Sequence, residues 1–233
     1  MYNLKAIAIV SGGLDSIAMT YILASEGYEL TLISFNYGQR HSKELDYAAM
    51  CARKLEAEHH IVDIRALTNL MNTSSLTSDS IEVPDGHYAE ETMKQTVVPN
   101  RNAIMINIAT ALAVSQKVSV VATGVHGGDH FIYPDCRPTF IDSQLETLKI
   151  ANDGFIAADF QLLTPFIHKS KADIVSAGEL VGVPWNQTWS CYRGGEIHCG
   201  SCGTCFERRE AFEIAGVSDP TDYASTPTFI DPR

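Results

Sequence analysis

Two stretches of the chain hold side chains whose types and spacing suit chemistry better than packing. The first is Ser11-Gly12-Gly13-Leu14-Asp15-Ser16, between an apolar run and a helical pattern. Two glycines let the backbone approach an anion closely, and the start of the next helix offers free N–H groups and partial positive charge. Ser11 and Ser16 add hydroxyl donors; Asp15 suits a metal or a helix cap. A plain turn followed by an N-cap would use the same residues. The second stretch is Cys191-x7-Cys199-x2-Cys202-x2-Cys205, four of the six cysteines. Four thiolates at that density suit tetrahedral zinc, while redox thiols or an iron–sulfur cluster draw on the same ligands. The segment holds little apolar material beyond Tyr192 and Ile197, too little to order it by packing, which favours a structural metal. Cys51 and Cys136 stand alone, so the pattern is not a disulfide framework.

Further polar motifs recur where strands should end. Tyr37-Gly38-Gln39-Arg40-His41 follows the second apolar run, and Pro99-Asn100-Arg101-Asn102 precedes an apolar helix. Thr123-Gly124-Val125-His126-Gly127-Gly128-Asp129-His130 follows another run and leads to Tyr133-Pro134-Asp135-Cys136-Arg137; Lys171 opens a late helix. Each alone has a bland reading: Arg40 as a solvated helix start, Arg101 in a surface pair, His126 as a satisfied loop residue. Their gathering at one sheet edge favours a site.

The elements that position these motifs follow from periodicity. Apolar runs at 5–10, 30–35, 60–64 and 118–124 predict buried strands; patterns at 15–25, 43–55, 102–115, 140–150, 171–181 and 206–215 predict helices, that at 102–115 buried on most sides. The alternation implies a doubly wound, mainly parallel α/β sheet, with 1–190 as the α/β domain and 191–233 as a metal-binding segment packed on it. The polar stretch 72–99 reads as a functional loop, a candidate lid over the site. The 233 residues, 45% hydrophobic, can bury about 70% of their unfolded surface. Seventeen Lys and Arg against 28 Asp and Glu give a net charge of −11, which opposes general binding to nucleic acid or an anionic membrane. The longest charge-free apolar stretch, 102–116, falls short of the ~20 residues that span a bilayer. With no signal peptide in the first residues, the chain reads as soluble and cytoplasmic. Walker and Gly-x-Gly-x-x-Gly patterns are both missing.

The glycine loop resembles that of N-type ATP pyrophosphatases, which cleave ATP between its α- and β-phosphates. Together with Tyr37-x-Gln39-Arg40-His41, Pro99-x-Arg101-Asn102, Thr123-Gly124, Tyr133-Pro134-Asp135-Cys136-Arg137 and the four cysteines, the chain resembles the 7-cyano-7-deazaguanine synthases of queuosine biosynthesis nearly end to end. The resemblance implies an adenine nucleotide α-hydrolase-like fold and an ATP-dependent C–N ligase. It would convert 7-carboxy-7-deazaguanine and ammonia to the nitrile through adenylated acid and amide, with AMP released. It implies ATP binding by Val10, Ser11, Gly12, Gly13, Leu14, Asp15, Ser16, Ile17, Ala18, Met19 and Thr20. Catalysis would fall to Asp15, Arg101, Arg137 and Lys171. Substrate binding would fall to Tyr37, Gln39, Arg40, His41, Asn102, His126, Asp129, Tyr133 and Asp135. One structural Zn²⁺ on Cys191, Cys199, Cys202 and Cys205, Mg²⁺ with ATP, and a homodimer are implied as well. Many members have Gly where this chain has Asn100, and Cys-Glu-Thr-Asp where it has His126-Gly127-Gly128-Asp129; the second departure is expected to fall in the substrate pocket. The rival readings are an amide-forming ligase, a tRNA-thiolating ATP pyrophosphatase and a nucleotide-binding module without catalysis.

Overall fold

The computed structural model describes residues 4–71, 73–78, 80–87 and 91–227. Five parallel strands, β1 (Lys5–Ile9), β2 (Glu29–Asn36), β3 (Glu58–Asp63), β4 (Val120–Ala122) and β5 (Gln161–Leu163), lie in the order β3-β2-β1-β4-β5. The first half winds outward from β1 through α1 (Leu14–Ser25) and α2 (Glu44–Lys54). The chain then crosses back beside β1 and winds the other way through α3 (Arg101–Gln116) and α4 (Pro138–Ala151). Ile7 pairs with Val121 and Ala8 with Ala122, so the switch in winding falls between β1 and β4, where ligands of such sheets bind.

Alternation along β1 sorts the core into two layers. Ile7 and Ile9 face α3 and α4; Ala6, Ala8 and Val10 face α1, α2, α5 (Lys171–Leu180) and α6 (Gly203–Ala215). Both faces are covered, which is why β1 reads as a continuous apolar run. α3 departs from expectation: only Ile106, Ala109, Thr110 and Ala113 are buried, so one stripe packs on β1 and β4. Met93–Gln116 has the length and mean hydropathy, 1.2, of a membrane span by composition, yet that stripe lies in the core and Arg101 opens the helix into the cleft described below.

Two elements escaped the sequence reading. β5 is three residues long with one fully buried side chain, Leu162, too short for a periodic signal. The 72–99 stretch, expected as a lid, is packed rather than free wherever it is described; residues 72, 79 and 88–90 lie outside the described ones. Ser74, Ser75, Leu76, Met93 and Thr96 are fully buried, and Arg40 donates through Nη2 to the carbonyls of Ser78 (2.9 Å) and Ile81 (3.2 Å). Asp85 pairs with Arg193 at 2.8 Å and bridges to the backbone of Cys202, fastening the stretch to the cysteine segment.

Candidate active site

The loop after β1 turns on itself through its own hydroxyls. Ser11 Oγ accepts from Gly13 N (3.1 Å) and lies 3.2 Å from Ser16 Oγ, which donates to the Gly13 carbonyl (3.1 Å). Gly13 caps α1 with extended backbone and no side-chain cap bond, so no side chain caps this helix, and Gly13, Leu14, Asp15 and Ser16 line the cleft described next. Gly12 has φ +97°, and a Cβ there would lie 1.9 Å from the carbonyl oxygen of Glu44. Gly124 serves the same end: a Cβ would come 3.2 Å from the Asp15 backbone, so its absence lets β4's exit pass close to α1.

Beside the loop lies a cleft of about 200 Å³. One wall is ionic. Lys171 opens α5, whose start is held by a reciprocal cap between Ser170 and Asp173. Its Nζ donates to Glu207 Oε2 at 2.5 Å and lies 3.4 Å from Asp15 Oδ2. Burial acts to lower the Lys171 pKa, but the carboxylates of Asp15, Glu207 and Asp129 outweigh it and hold the ammonium charged. Burial raises Glu207, with Lys171 pulling the other way. Asp15 Oδ1 is buried without a hydrogen-bond partner among the described residues, an orphaned acceptor that fits a divalent cation shared with the nearby Asp129.

The other wall is aromatic and centred on Arg101. Its guanidinium sits 5.8 Å from the Tyr133 ring centroid; burial opposes its charge, and Tyr37, Tyr133, Tyr192 and Asp135 offset that. The Tyr133 hydroxyl bonds Thr96 Oγ1 (2.6 Å) and Tyr192 (3.3 Å). Glu44, at the start of α2, lines this wall with Oε1 accepting from Gln39 Nε2 at 3.1 Å; burial pushes its carboxyl up to about 8. Burial, with Arg101 and Arg40, lowers the neighbouring His41 to about 3, so its ring is neutral.

Of the residues expected at the site, Val10, Ser11, Gly13, Leu14, Asp15, Ser16, Tyr37, His41, Arg101, Asn102, Asp129, Tyr133 and Lys171 line the cleft together. The others lie elsewhere. Ile17, Ala18 and Met19 are core residues of α1, and Thr20 bonds the Ser16 carbonyl at 2.7 Å, because a helix turns its next residues inward after the loop. Gly12 packs against α2. Arg137 is exposed beyond the cleft, its Nε donating to the His130 carbonyl at 2.9 Å. Gln39 and Arg40 brace loops. Asp135 accepts from the Asn102 backbone N–H at 3.1 Å and so sets the start of α3. His126 is buried behind the ionic wall, its Nδ1 accepting from Gly128 N and its Nε2 3.5 Å from Asp129 and 3.9 Å from Asp15. A Cβ on Gly127 would meet the Lys169 carbonyl oxygen at 2.9 Å, and of His126-Gly127-Gly128-Asp129 only Asp129 lines the cleft. The other departure is accommodated: Asn100 adopts φ 57°, ψ 13°, a left-handed geometry that glycine adopts freely and asparagine tolerates best among the rest.

Glu44, Glu207, Trp189, Ser190 and Tyr192 were missed. The two acids look like ordinary helix charges; proximity of Glu44 to Gln39-Arg40-His41 within one helical turn was the available signal. Trp189 closes the cleft's base: its backbone N–H donates to the Gly12 carbonyl at 2.9 Å, its indole Nε1 donates to the Cys191 carbonyl at 2.8 Å, and its ring packs on His198 at 4.3 Å. Arg208, fully buried, ties α6 to this segment through Thr188 Oγ1 (2.7 Å), the Trp185 carbonyl (3.0 Å) and Asp219 (3.3 Å).

Below Trp189 the four cysteine sulfurs lie within 4.8 Å of one another, none in a disulfide. Ligands about 2.3 Å from a tetrahedral ion stand about 3.8 Å apart, and Cys199 and Cys205 sulfurs are at 3.9 Å. Backbone N–H groups of Cys199 and Cys202 point at the sulfurs of Cys191 and Cys199, as suits thiolates around a metal. The donor set fits a single tetrahedral ion.

A parallel sheet of this order, with a glycine loop at its switch point and a lysine and paired acids beside it in a cleft, defines an α/β protein with a polar site where such sheets bind ligands. Residues 5–216 match the family model described as queuosine biosynthesis protein QueC. The chain is 58% identical over 220 residues to a 7-cyano-7-deazaguanine synthase from Rhizobium etli (strain CIAT 652), covering 94% of this chain and 92% of that protein. Proteins of the same name from Brucella anthropi (58%, 94% of each chain) and Paracoccus denitrificans (55%, 94% of this chain and 93% of that one) are similarly close. The chain belongs to the QueC family of queuosine biosynthesis.

Proposed function

We propose that this protein converts 7-carboxy-7-deazaguanine and ammonia to 7-cyano-7-deazaguanine, using two ATP per nitrile. The observation that carries the reading is the two-walled cleft: an open phosphate-binding loop with Lys171 on one side, a cationic and aromatic base-sized wall around Arg101 on the other. The name of the similar proteins, 7-cyano-7-deazaguanine synthase, supports the product.

In the reaction the loop's N–H groups and Lys171 take the β- and γ-phosphates, and their charge favours departure of pyrophosphate. Arg101 steers the substrate carboxylate toward the α-phosphorus and offsets the charge that develops there. An oxygen of the carboxylate bonds phosphorus as the α–β bond breaks; ammonia then displaces AMP, and a proton leaves with the amide formed. The amide oxygen attacks a second ATP, and loss of AMP with the remaining amide protons leaves the nitrile. Asp15 and Asp129 would hold Mg²⁺, which supplies further neutralisation of the phosphates. Buried Leu76, Met93, Thr96 and Val98, with Tyr133, keep water from the adenylate without requiring closure of a lid. We assign one zinc to Cys191, Cys199, Cys202 and Cys205 as a structural ion under the cleft's base. We read the reaction as cytoplasmic, which cysteines spaced for a metal rather than for disulfides support, and the net charge of −11 favours free metabolites over nucleic acid as substrate.

The test is mass spectrometry of 7-carboxy-7-deazaguanine incubated with the enzyme, ATP, Mg²⁺ and ammonium. Amide that rises and falls as nitrile appears, with two AMP per nitrile, is expected. Amide that accumulates with one AMP each would make the protein an amide-forming ligase, and no AMP at all would refute the reading.

A further inference from the structure

The cleft is lined by three carboxylates among the described residues, and they divide between its walls. Asp15 and Asp129 belong with Lys171 and His126. Glu44 belongs to neither the lysine nor the loop's donors. Its neighbours are Gln39 and His41 from the turn after β2, and Arg101 from α3. Its orientation is fixed from behind. Gln39 cannot flip, because its Oε1 accepts from Tyr37 N (3.0 Å) while its Nε2 donates to both the Phe35 carbonyl (3.1 Å) and Glu44 Oε1 (3.1 Å). The Glu44 backbone in turn seats against Gly12, where no side chain fits. Among the described residues nothing donates to Glu44 Oε2, although the residue is 7% exposed and faces the cleft. A buried carboxylate held in one pose with an open acceptor face is costly unless a ligand supplies donors.

The nucleobase of the proposed substrate has such an edge. A 2-amino-4-oxopyrimidine ring presents N3–H and an exocyclic N–H side by side, the fork that a carboxylate accepts bidentately. We propose that Glu44 reads this edge and sets specificity for the 2-amino deazapurine over ring systems that lack the amino group. The inference rests on the function proposed above. With the edge on Glu44, Tyr133, Tyr192 and Arg101 flank the remaining faces, and the 7-substituent is left toward the loop. The ionised carboxylate would be restored by the two donors, which stabilise the anion that the empty cleft disfavours.

The test compares kcat/KM for 7-carboxy-7-deazaguanine and its 2-desamino counterpart, 7-carboxy-7-deazahypoxanthine, in the wild-type enzyme, Glu44→Gln and Glu44→Asp. A bidentate pair is worth about 5- to 150-fold in discrimination, and wild type is expected to prefer the amino substrate by that order. In Glu44→Gln the amide oxygen keeps the bond from Gln39, and the NH2 faces a donor in the substrate. Its preference should fall to about threefold or less, through KM for the amino substrate, with Glu44→Asp regaining part of it. Equal loss on both substrates in Glu44→Gln, or no preference in wild type, would overturn the role of Glu44. Failure of wild type to form AMP with either substrate would refute the function proposed above instead.

Discussion

Gly12 and Gly13 are neighbours in one loop, yet the structure gives them opposite duties, and replacing each by alanine separates them. At Gly12 a methyl meets two penalties. The backbone has φ +97°, which costs a side-chain-bearing residue about 1–2 kcal/mol. The added Cβ would lie 1.9 Å from the Glu44 carbonyl oxygen and 2.8 Å from its carbon, closer than Cβ contacts occur in proteins. The start of α2 must retreat by about an ångström, an overpacking worth about 1–3 kcal/mol. Gly12→Ala should therefore lose about 2–5 kcal/mol, a large share of the ~5–15 kcal/mol that holds a domain together. Gly13 has an ordinary φ of −73°, and its Cβ would sit 3.2 Å from the rotatable Ser11 Oγ. There the smaller unfolded-state entropy of alanine, about 0.4–1 kcal/mol, roughly offsets the poorer helix cap. Gly13→Ala should stay within about 1 kcal/mol of wild type, yet it crowds the face that takes phosphate, so KM for ATP should rise. Urea unfolding reads the first effect and AMP release at varied ATP the second. Two variants of equal stability, or Gly12→Ala unfolding at the wild-type midpoint, would refute the assignment of one glycine to packing and the other to ligand.

Asp15→Asn should cut AMP formation by about a hundredfold or more if the orphaned Oδ1 binds the cation, while circular dichroism and the unfolding midpoint stay near wild type; retained turnover would exclude that role. Arg137→Ala should leave turnover near wild type, since the side chain is exposed outside the cleft; a collapse in rate would restore it to the catalytic set. Purified protein should carry one zinc per chain by elemental analysis, and Cys202→Ser or chelation should lower the melting temperature as well as activity; unchanged stability of metal-free protein would refute a structural ion. Burial raises Glu44 to about 8 against an unfolded value near 4.5, so its contribution is fully present below about pH 4.5 and is lost as pH rises toward 8. Melting curves should show Glu44→Gln gaining on wild type over that window, and parallel curves would refute the burial of that carboxyl.

The first strand, its loop and α1 were legible because local signals agree: an apolar run, two glycines and helical spacing point to one geometry. The cysteine cluster was legible because its ligands sit close in sequence. What escaped reading is held by distant partners. Leu76, Val83 and Met93 are scattered among polar residues, so nothing periodic betrays that these three side chains are buried, and the Arg193–Asp85 pair joins positions far apart in the chain. Glu207 resembled one half of a balanced charged face beside Arg208 and Arg209. In the fold it meets Lys171, whereas Arg208 turns inward to Thr188 and Trp185. His126 was placed in the pocket by its motif, while the chain after β4 turns it behind the wall to the Asp15 side.

The bond from Trp189 N–H to the Gly12 carbonyl joins one of the earliest parts of the chain to one made much later. On the ribosome, β1 to β5 can pair and collapse once residue 163 has emerged, since every strand is then present. The phosphate loop would at that stage lie open on one side. Its floor, the lysine–glutamate pair across from it and the four-cysteine cluster arrive with residues 171–207. A chain stopped before residue 171 would carry all five strands but neither the lysine nor the tryptophan that complete the cleft.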